Sequence, residues 1–193
     1  MKAVFFGFIS SLAIGFASAP QAQAQEEHRL GIHFDWWRPY WERNTNTLSD
    51  SVAFGADYIY SMEVFDIRPS LTYFFQFAKP SNLSVNAFEI QVDFLWRFID
   101  YNPRHHGRRI HPYFGLGLGV DIFMNNVSNQ TINPSVGPNF IAGVDFSLKH
   151  GIHLFVELDY RLRFDNDIKV GSATASTTNT SGPGLMFGIN FET

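Results

Sequence analysis

The sequence predicts an all-β fold: an eight-stranded antiparallel up-and-down transmembrane β-barrel. The first observation is a strict alternation between Ile110 and Asn125, where every second residue from Pro112 to Met124 is apolar and the residues between are mostly small or charged. The second is that this pattern recurs in eight segments, each close to the roughly 9 to 11 residues that a tilted strand needs to cross a bilayer. The third is composition, because Phe appears 21 times, charged residues make up only 17% and cysteine is absent.

The eight segments follow one another along the chain, and in each of them every second residue belongs to an apolar face. These faces run over Leu30 to Trp36, Val52 to Tyr60, Ile67 to Phe77, Phe88 to Phe98, Pro112 to Met124, Phe140 to Leu148, Ile152 to Phe164 and Leu185 to Phe191. None of their positions is Asp, Glu, Lys, Arg or His. The alternate positions carry nearly all the charge of the strands.

This separation of apolar and charged faces decides between a membrane barrel and a soluble, lipocalin-like barrel. In a soluble eight-stranded barrel the apolar face points inward, where there is only just room for ordinary side chains. So many bulky residues, many of them Phe, do not fit there, whereas they fit easily when turned outward into lipid. We therefore expect Gly115, Gly117 and Gly119 to face a narrow interior and to make room for charged neighbours such as Glu89, Asp93 and Arg97.

Residues 1–24 are interpreted as a secretory signal peptide, and residues 25–193 as the outer-membrane β-barrel domain. A charged start is followed by an apolar core and then by small residues. Two Ala-x-Ala cleavage sites compete, Ala17-Ser18-Ala19 and Ala22-Gln23-Ala24, and the second is favoured because the first leaves Pro20 beside the cut. An uncleaved membrane helix is the alternative, but the apolar run is short for one.

The connections between segments alternate in length, which predicts the orientation of the barrel. Residues 42–51, 78–85, 125–137 and 165–182 form mostly longer connections rich in Asn, Ser and Thr, whereas 62–66 and 149–151 are short. Because outer-membrane barrels place short turns in the periplasm and long loops outside, both ends of the chain should lie on the periplasmic side. The link 99–109 is also predicted to be periplasmic, although it is long and basic.

This basic link and the aromatic residues indicate contacts with lipid headgroups. The link carries Arg104, Arg108 and Arg109, which we expect to meet anionic phospholipid headgroups. The aromatic residues should form two girdles, as is usual in membrane barrels. The outer girdle would contain Trp36, Trp37, Tyr40 and Trp41, and the inner one Tyr58, Tyr60, Trp96, Tyr101, Tyr113 and Phe191.

The charged positions of the strands are expected to pair with one another inside the barrel. Side chains two residues apart on a strand lie on one face within about 7 Å, and an unpaired charge in a narrow interior is costly. The predicted lumen charge network consists of Asp35, Asp57, Arg68, Glu89, Asp93, Arg97, Asp121, Asp145, Glu157, Asp159, Arg161 and Arg163. Because acids outnumber arginines in this set, any wet passage should mildly prefer cations.

The chain resembles the eight-stranded outer-membrane β-barrel superfamily of Gram-negative bacteria. The resemblance lies in the signal and in three strands, Pro112 to Gly119, Phe155 to Arg161 and Gly184 to Phe191. This superfamily includes the OmpA barrel domain and OmpX. The resemblance implies a location in the outer membrane, contact with lipopolysaccharide and phospholipid, and assembly by the barrel assembly machinery. The last strand resembles the signal that this machinery reads, although Glu192 and Thr193 follow its terminal aromatic residue.

The resemblance guides the fold more than the activity. We expect a monomeric, non-enzymatic protein with a structural or cell-surface interaction role, whose outer loops meet a host or surface ligand. A narrow, porin-like channel for small molecules or ions is the first alternative. A lipid A-modifying enzyme is the second alternative, but the lipid face offers neither the His nor the acid that such a deacylase, similar to a serine hydrolase, would need there.

No catalytic, cofactor-binding or metal-binding residues are predicted. His105 and His106 lie near His111, but no carboxylate or ligand spacing completes a metal site. A formal net charge of -4 and a pI near 5.9 leave no broad basic surface, which argues against nucleic-acid binding.

Overall fold

The structure, a computed structural model, describes residues 27–38, 48–62, 65–78, 84–98, 109–125, 130–148, 150–164, 166–170, 173–178 and 181–193. The predicted signal peptide and its cleavage sites, together with Tyr40, Trp41, Tyr101, Arg104 and Arg108, lie outside these ranges. Within them, no helix is long and apolar enough to cross a membrane.

Eleven strands occur among the described residues: β1 (Glu27–Trp37), β2 (Leu48–Ser61), β3 (Phe65–Ala78), β4 (Ser84–Arg97), β5 (Arg109–Asn125), β6 (Gln130–Ile132), β7 (Ser135–Ser147), β8 (Ile152–Arg161), β9 (Asn166–Val170), β10 (Ala173–Thr178) and β11 (Gly182–Glu192). Eight of them form a closed barrel in the order β1-β11-β8-β7-β5-β4-β3-β2, and every neighbouring pair is antiparallel. The first and last strands close the barrel, with Leu30 opposite Phe191 and Trp36 opposite Leu185. The predicted eight-stranded antiparallel barrel is confirmed.

The two faces of the barrel wall differ as the alternation predicted. Among the apolar-face positions whose side chains the structure describes, none is buried, and Leu118 and Leu158 are 65% and 64% exposed. On the opposite face Glu89 is only 1% exposed. The apolar side chains therefore point away from the barrel axis, and the charged ones point into the lumen. An exterior of this kind is typical of barrels that are solvated by lipid.

Two short connections mark one end of the barrel, which we call the turn end. At the first, the Met62 N–H donates to the Phe65 carbonyl oxygen over 2.9 Å. At the second, His150 and Gly151 have φ values of 67° and 70°, in the left-handed region that tight hairpins use. Glu27 pairs with Ser61 beside the first connection, so β1 begins at the turn end. We call the opposite end the loop end.

A separate small sheet comes from two of the connections that the sequence predicted as loops. The strands β6, β9 and β10 pair antiparallel in the order β10-β9-β6, with Gln130 opposite Val170. Sequence reasoning missed this sheet because its strands are short and largely polar, so they lack the apolar alternation that reveals a barrel strand. The loop end therefore carries a paired backbone framework in addition to its connections.

Candidate functional site in the charged lumen

The lumen is filled by charged and aromatic side chains that form three groups along the barrel. The middle layer is centred on Arg68, and the loop-end layer on Arg161 and Arg163. The rim cluster lies at the turn end around Arg29 and His153. These three groups contain most of the residues of the predicted lumen network.

In the middle layer, Arg68 lies between two carboxylates. Its Nε and Nη2 donate to Asp93 Oδ2 over 3.1 and 2.9 Å. Its Nη2 also donates to Glu157 Oε2 over 2.8 Å, and its Nη1 donates to the other oxygen of the same carboxylate. The remaining oxygen of Asp93 accepts from Gln91 Nε2 over 2.6 Å. This charge-assisted, partly bidentate arrangement links β3, β4 and β8 across the lumen.

Tyr113 belongs to this layer, and its assignment to the inner aromatic girdle was wrong. The side chain is only 7% exposed, and its hydroxyl donates to Glu157 Oε1. Tyr113 has the same parity on β5 as Gly115 and Gly117, so the pleat directs it inward. Its hydroxyl supplies a donor to a carboxylate that would otherwise depend on Arg68 alone.

In the loop-end layer, two arginines share the carboxylate of Glu89. Arg163 Nη2 donates to Glu89 Oε1, while its Nε donates to Asp121 Oδ2 over 2.8 Å. Arg161 Nη1 lies 3.5 Å from Glu89 Oε2. Arg161 also pairs with Asp35, and its Nε is 2.6 Å from Asp159 Oδ2. Apart from Asp121 and Asp159, which are 4% and 5% exposed, these residues are no more than 2% exposed.

Two aromatic rings that contact each other pack against the loop-end layer at Arg161. The Arg161 guanidinium carbon lies 4.9 Å from the centroid of Phe74 and 5.6 Å from that of Trp37, which is consistent with cation–π attraction. Trp37 and Phe74 in turn pack with Ala53 and Ala87 in a buried apolar cluster. The interior therefore combines ion pairs with a small apolar core that sequence reasoning did not predict. Trp37, at 2% exposure, belongs to this core, and its assignment to the outer girdle was wrong.

The glycines of β5 make room for this network. A Cβ atom at Gly117 would overlap the Asp93 carboxylate, and one at Gly119 would lie 2.9 Å from Glu89 Oε1. The expectation that these glycines make room for charged neighbours is confirmed for Asp93 and Glu89. Arg97 pairs in register with Tyr113 instead, and the side chain opposite Gly115 is Leu95.

Asp57 lies on a different part of the lumen wall and contacts a histidine. Its Oδ2 is 3.0 Å from His33 Nδ1, and His33 Nε2 is 2.9 Å from Thr72 Oγ1. All three residues are buried. Both ring nitrogens of His33 are therefore engaged inside the barrel.

The rim cluster contains residues that the predicted network left out, among them Arg29 and Asp66. Arg29 donates from Nη1 to Asp145 Oδ2 over 2.7 Å and from Nη2 to Asp66 Oδ2 over 3.2 Å. Arg97 Nη2 lies 2.8 Å from the other oxygen of Asp66. The sequence did contain a signal for Arg29, because it lies four residues before His33 on β1 and therefore on the same inner face. Asp66 was counted as part of a turn.

The remaining girdle positions lie on the outer surface of the barrel. Tyr58, Trp96 and Phe191 are 37%, 43% and 45% exposed, and Tyr60 and Trp36 are partly exposed. Trp96 stacks on Phe114 with a centroid distance of 5.7 Å. For Arg109 the structure describes only the backbone at the start of β5, so its headgroup contact stays a prediction.

A closed eight-stranded antiparallel barrel with an apolar exterior and an ion-paired interior is the architecture of the small outer-membrane β-barrel proteins. No protein-family model matches this chain, and no curated protein matches it in sequence. Solved structures do match it. OprG from Pseudomonas aeruginosa is 13% identical with a TM-score of 0.67, over 88% of this chain and 97% of that one.

Two further solved structures share the fold. Neisserial surface protein A is 14% identical with a TM-score of 0.61, over 85% of this chain and 96% of that one. The outer-membrane protein AlkL is 13% identical with a TM-score of 0.59, over 88% and 90%. At such low identities the likeness shows the fold: this chain has the fold of the eight-stranded outer-membrane β-barrels.

Proposed function

We propose that this chain is an integral outer-membrane protein of a Gram-negative bacterium, with a structural or cell-surface interaction role and no enzymatic activity. In this proposal the signal peptide directs export, the barrel assembly machinery inserts residues 25–193 as a monomer, and the exterior contacts lipopolysaccharide and phospholipid. The observation that carries the proposal is the filled lumen.

The middle layer supplies the strongest argument against an open pore. Arg68 and Glu157 belong to β3 and β8, which are not neighbours in the barrel, so their ion pair spans the interior. Arg68 is 2% exposed, and Asp93 and Glu157 are 0% and 1% exposed. A solute moving along the axis would have to break these contacts and leave buried charges without partners, which is costly.

The small sheet at the loop end supports the interaction role. Its strands belong to connections that the orientation rule assigns to the cell surface. The sheet order leaves β10 and β6 as edge strands, and edge strands offer backbone groups to a partner. A host or surface ligand would bind at this sheet.

The positions of the histidines support the non-enzymatic part of the proposal. His33 and His153 are buried in the lumen, at 5% and 6% exposure. A lipid A deacylase similar to a serine hydrolase would need its histidine at the lipid face near the outer leaflet. Neither residue is placed to reach an acyl chain there.

Single-channel recording of the refolded barrel in planar bilayers tests the proposal. We expect the wild-type protein to stay near baseline, because both the middle and loop-end layers block the axis. The variant that combines Arg68→Ala and Glu157→Ala with Glu89→Ala and Arg163→Ala removes the central ion pair of each layer, and a higher conductance in this variant would show that the assay detects an opened barrel. Clear conductance steps in the wild type would overturn the proposal and support the narrow channel, for which we expect cation preference.

A further inference from the structure

Three potential metal ligands from three strands meet at the turn end. Glu27 begins β1, His153 lies at the start of β8, and Glu192 ends β11. His153 Nε2 is 2.9 Å from Glu192 Oε1 and 3.7 Å from Glu27 Oε1, and one ligand atom from each residue lies within 4.8 Å of the others. Glu27 and Glu192 are 33% and 47% exposed, so an ion can reach the site from solvent.

The surroundings of the imidazole orient it toward the two glutamates. On the opposite side of the ring, Nδ1 lies 3.2 Å from Asp145 Oδ1, 3.1 Å from Ser147 Oγ and 3.4 Å from Arg29 Nη1. A carboxylate that holds Nδ1–H directs the lone pair of a neutral imidazole to Nε2, as in many metal sites. With carboxylates on both sides, His153 is compatible either with an imidazolium or with a neutral ring whose Nε2 shares a cation with the glutamates.

The charge balance of the rim cluster favours a bound cation. Among the described residues, Glu27, Asp66, Asp145 and Glu192 form ion pairs with Arg29, Arg97 and His153, so the carboxylates of the cluster outnumber its guanidinium groups by two. Furthermore, Glu27 Oε1 is a buried atom that accepts no hydrogen bond, and Arg29 Nε lies 3.3 Å from it. A divalent ion would neutralise the excess and coordinate this oxygen.

We propose that Glu27, His153 and Glu192 bind a divalent transition-metal ion of the zinc type. Ligand atoms about 2.1 Å from a tetrahedral ion lie roughly 3.4 Å from one another, and the separations of 2.9 and 3.7 Å from Nε2 bracket that value. One nitrogen and two carboxylate ligands suit zinc, and a water molecule would complete the tetrahedron.

The ion would stabilise the seam at which the barrel closes. Glu27 belongs to the first strand and Glu192 to the last, and these strands are paired from Arg29 with Glu192 to Trp37 with Gly184. A ligand that binds the folded barrel and not the unfolded chain raises stability in proportion to the logarithm of its concentration above the dissociation constant. A metal ion bound at this site is therefore expected to stabilise the pairing of the first and last strands.

Zinc binding to the refolded, chelator-treated and untagged barrel tests this proposal by titration calorimetry. We expect one Zn²⁺ per barrel, and an affinity at least tenfold lower in Glu192→Gln and in Glu27→Gln. We also expect Zn²⁺ to raise the thermal unfolding midpoint of the wild type more than that of Glu192→Gln at the same Zn²⁺ concentration. Both variants alter partly exposed carboxylates, and their heat-dependent gel mobility reports whether they fold.

His150→Asn is the matched control, because it removes an exposed histidine of the same turn and asparagine tolerates positive φ. It should bind Zn²⁺ as the wild type does, whereas His153→Asn should not. Three results would overturn the proposal: no saturable Zn²⁺ binding, equal binding in wild type and Glu192→Gln, or equal affinity for Ca²⁺. The first would assign His153 to an imidazolium ion pair, and the last would reduce the site to diffuse negative charge.

Discussion

The middle layer and the rim cluster are built from the same chemistry and differ in their access to water. Each places a buried arginine among carboxylates, Arg68 at 2% exposure and Arg29 at 1%. The partners of Arg68 are also fully enclosed, whereas the rim cluster includes Glu27 and Glu192, which are 33% and 47% exposed. One network is therefore closed, and the other has an open side.

This difference separates structural charge from charge that is available for binding. In the middle layer, Asp93 and Glu157 already receive several donors, so little capacity remains for a ligand. At the rim, acids outnumber arginines, and a buried oxygen of Glu27 accepts no hydrogen bond. The closed network is expected to support the barrel, and the open one to respond to ions in solution.

The largest effect is expected from breaking the closed network at its centre. Arg68→Leu leaves the carboxylates of Asp93 and Glu157 buried without their cation, which should lower the free energy of unfolding by about 3 to 5 kcal/mol. Urea titration of the barrel in lipid vesicles measures this loss. Adding Asp93→Asn and Glu157→Gln to Arg68→Leu should recover part of it. A loss below about 1 kcal/mol for the single variant would contradict the description of this layer as closed.

A smaller effect is expected from adding volume beside the same layer. Gly117→Ala places a Cβ atom against the Asp93 carboxylate, so this carboxylate must move from its place beside Arg68 and Gln91, at a cost of about 1 to 3 kcal/mol. Leu118→Val is the matched control, because Leu118 is the next residue along β5 and its side chain is 65% exposed on the lipid face. The same vesicle titration compares the two variants. Equal stability of Gly117→Ala and the wild type would mean that the layer has spare room.

The smallest effect is expected from the open side of the rim cluster. In the presence of a chelator, Glu192→Gln removes only a partly exposed ion pair with His153, which should change the free energy of unfolding by about 1 kcal/mol or less. The measurement is urea titration at low and high salt, since an exposed pair weakens as salt rises. A loss as large as that of Arg68→Leu would remove the distinction between the two networks.

Much of the fold could be predicted from particular residues. The eight segments from Leu30 to Phe191 each form a barrel strand, because a period of two places alternate side chains on opposite faces whatever the partner strand. The same parity correctly predicted that Glu89 and Asp93 lie inside and that Leu118 lies outside. The small sheet at the loop end was missed because its short polar strands lack an apolar alternation with a period of two.

Less of the candidate site could be predicted, and the reason lies in the distances along the chain. Arg68 pairs with Glu157, 89 residues away, and Arg29 with Asp145, 116 residues away. Local patterns state which face a side chain takes, but they do not state its height along the barrel relative to a distant strand. The wrong assignment of Tyr113 has a different origin, since its parity with Gly115 and Gly117 on β5 already placed it on the inner face.

The sequence by itself determined the number of barrel strands, the two faces of the wall and the confinement of charge to the lumen, because these follow from local periodicity and from the cost of placing charge in lipid. Only the tertiary structure decided which charges meet. Closure of β1 against β11 beside β8 brings Glu27, Glu192 and His153 to one point of the turn end. Such a convergence depends on strand register and barrel closure, and no local stretch of sequence encodes it.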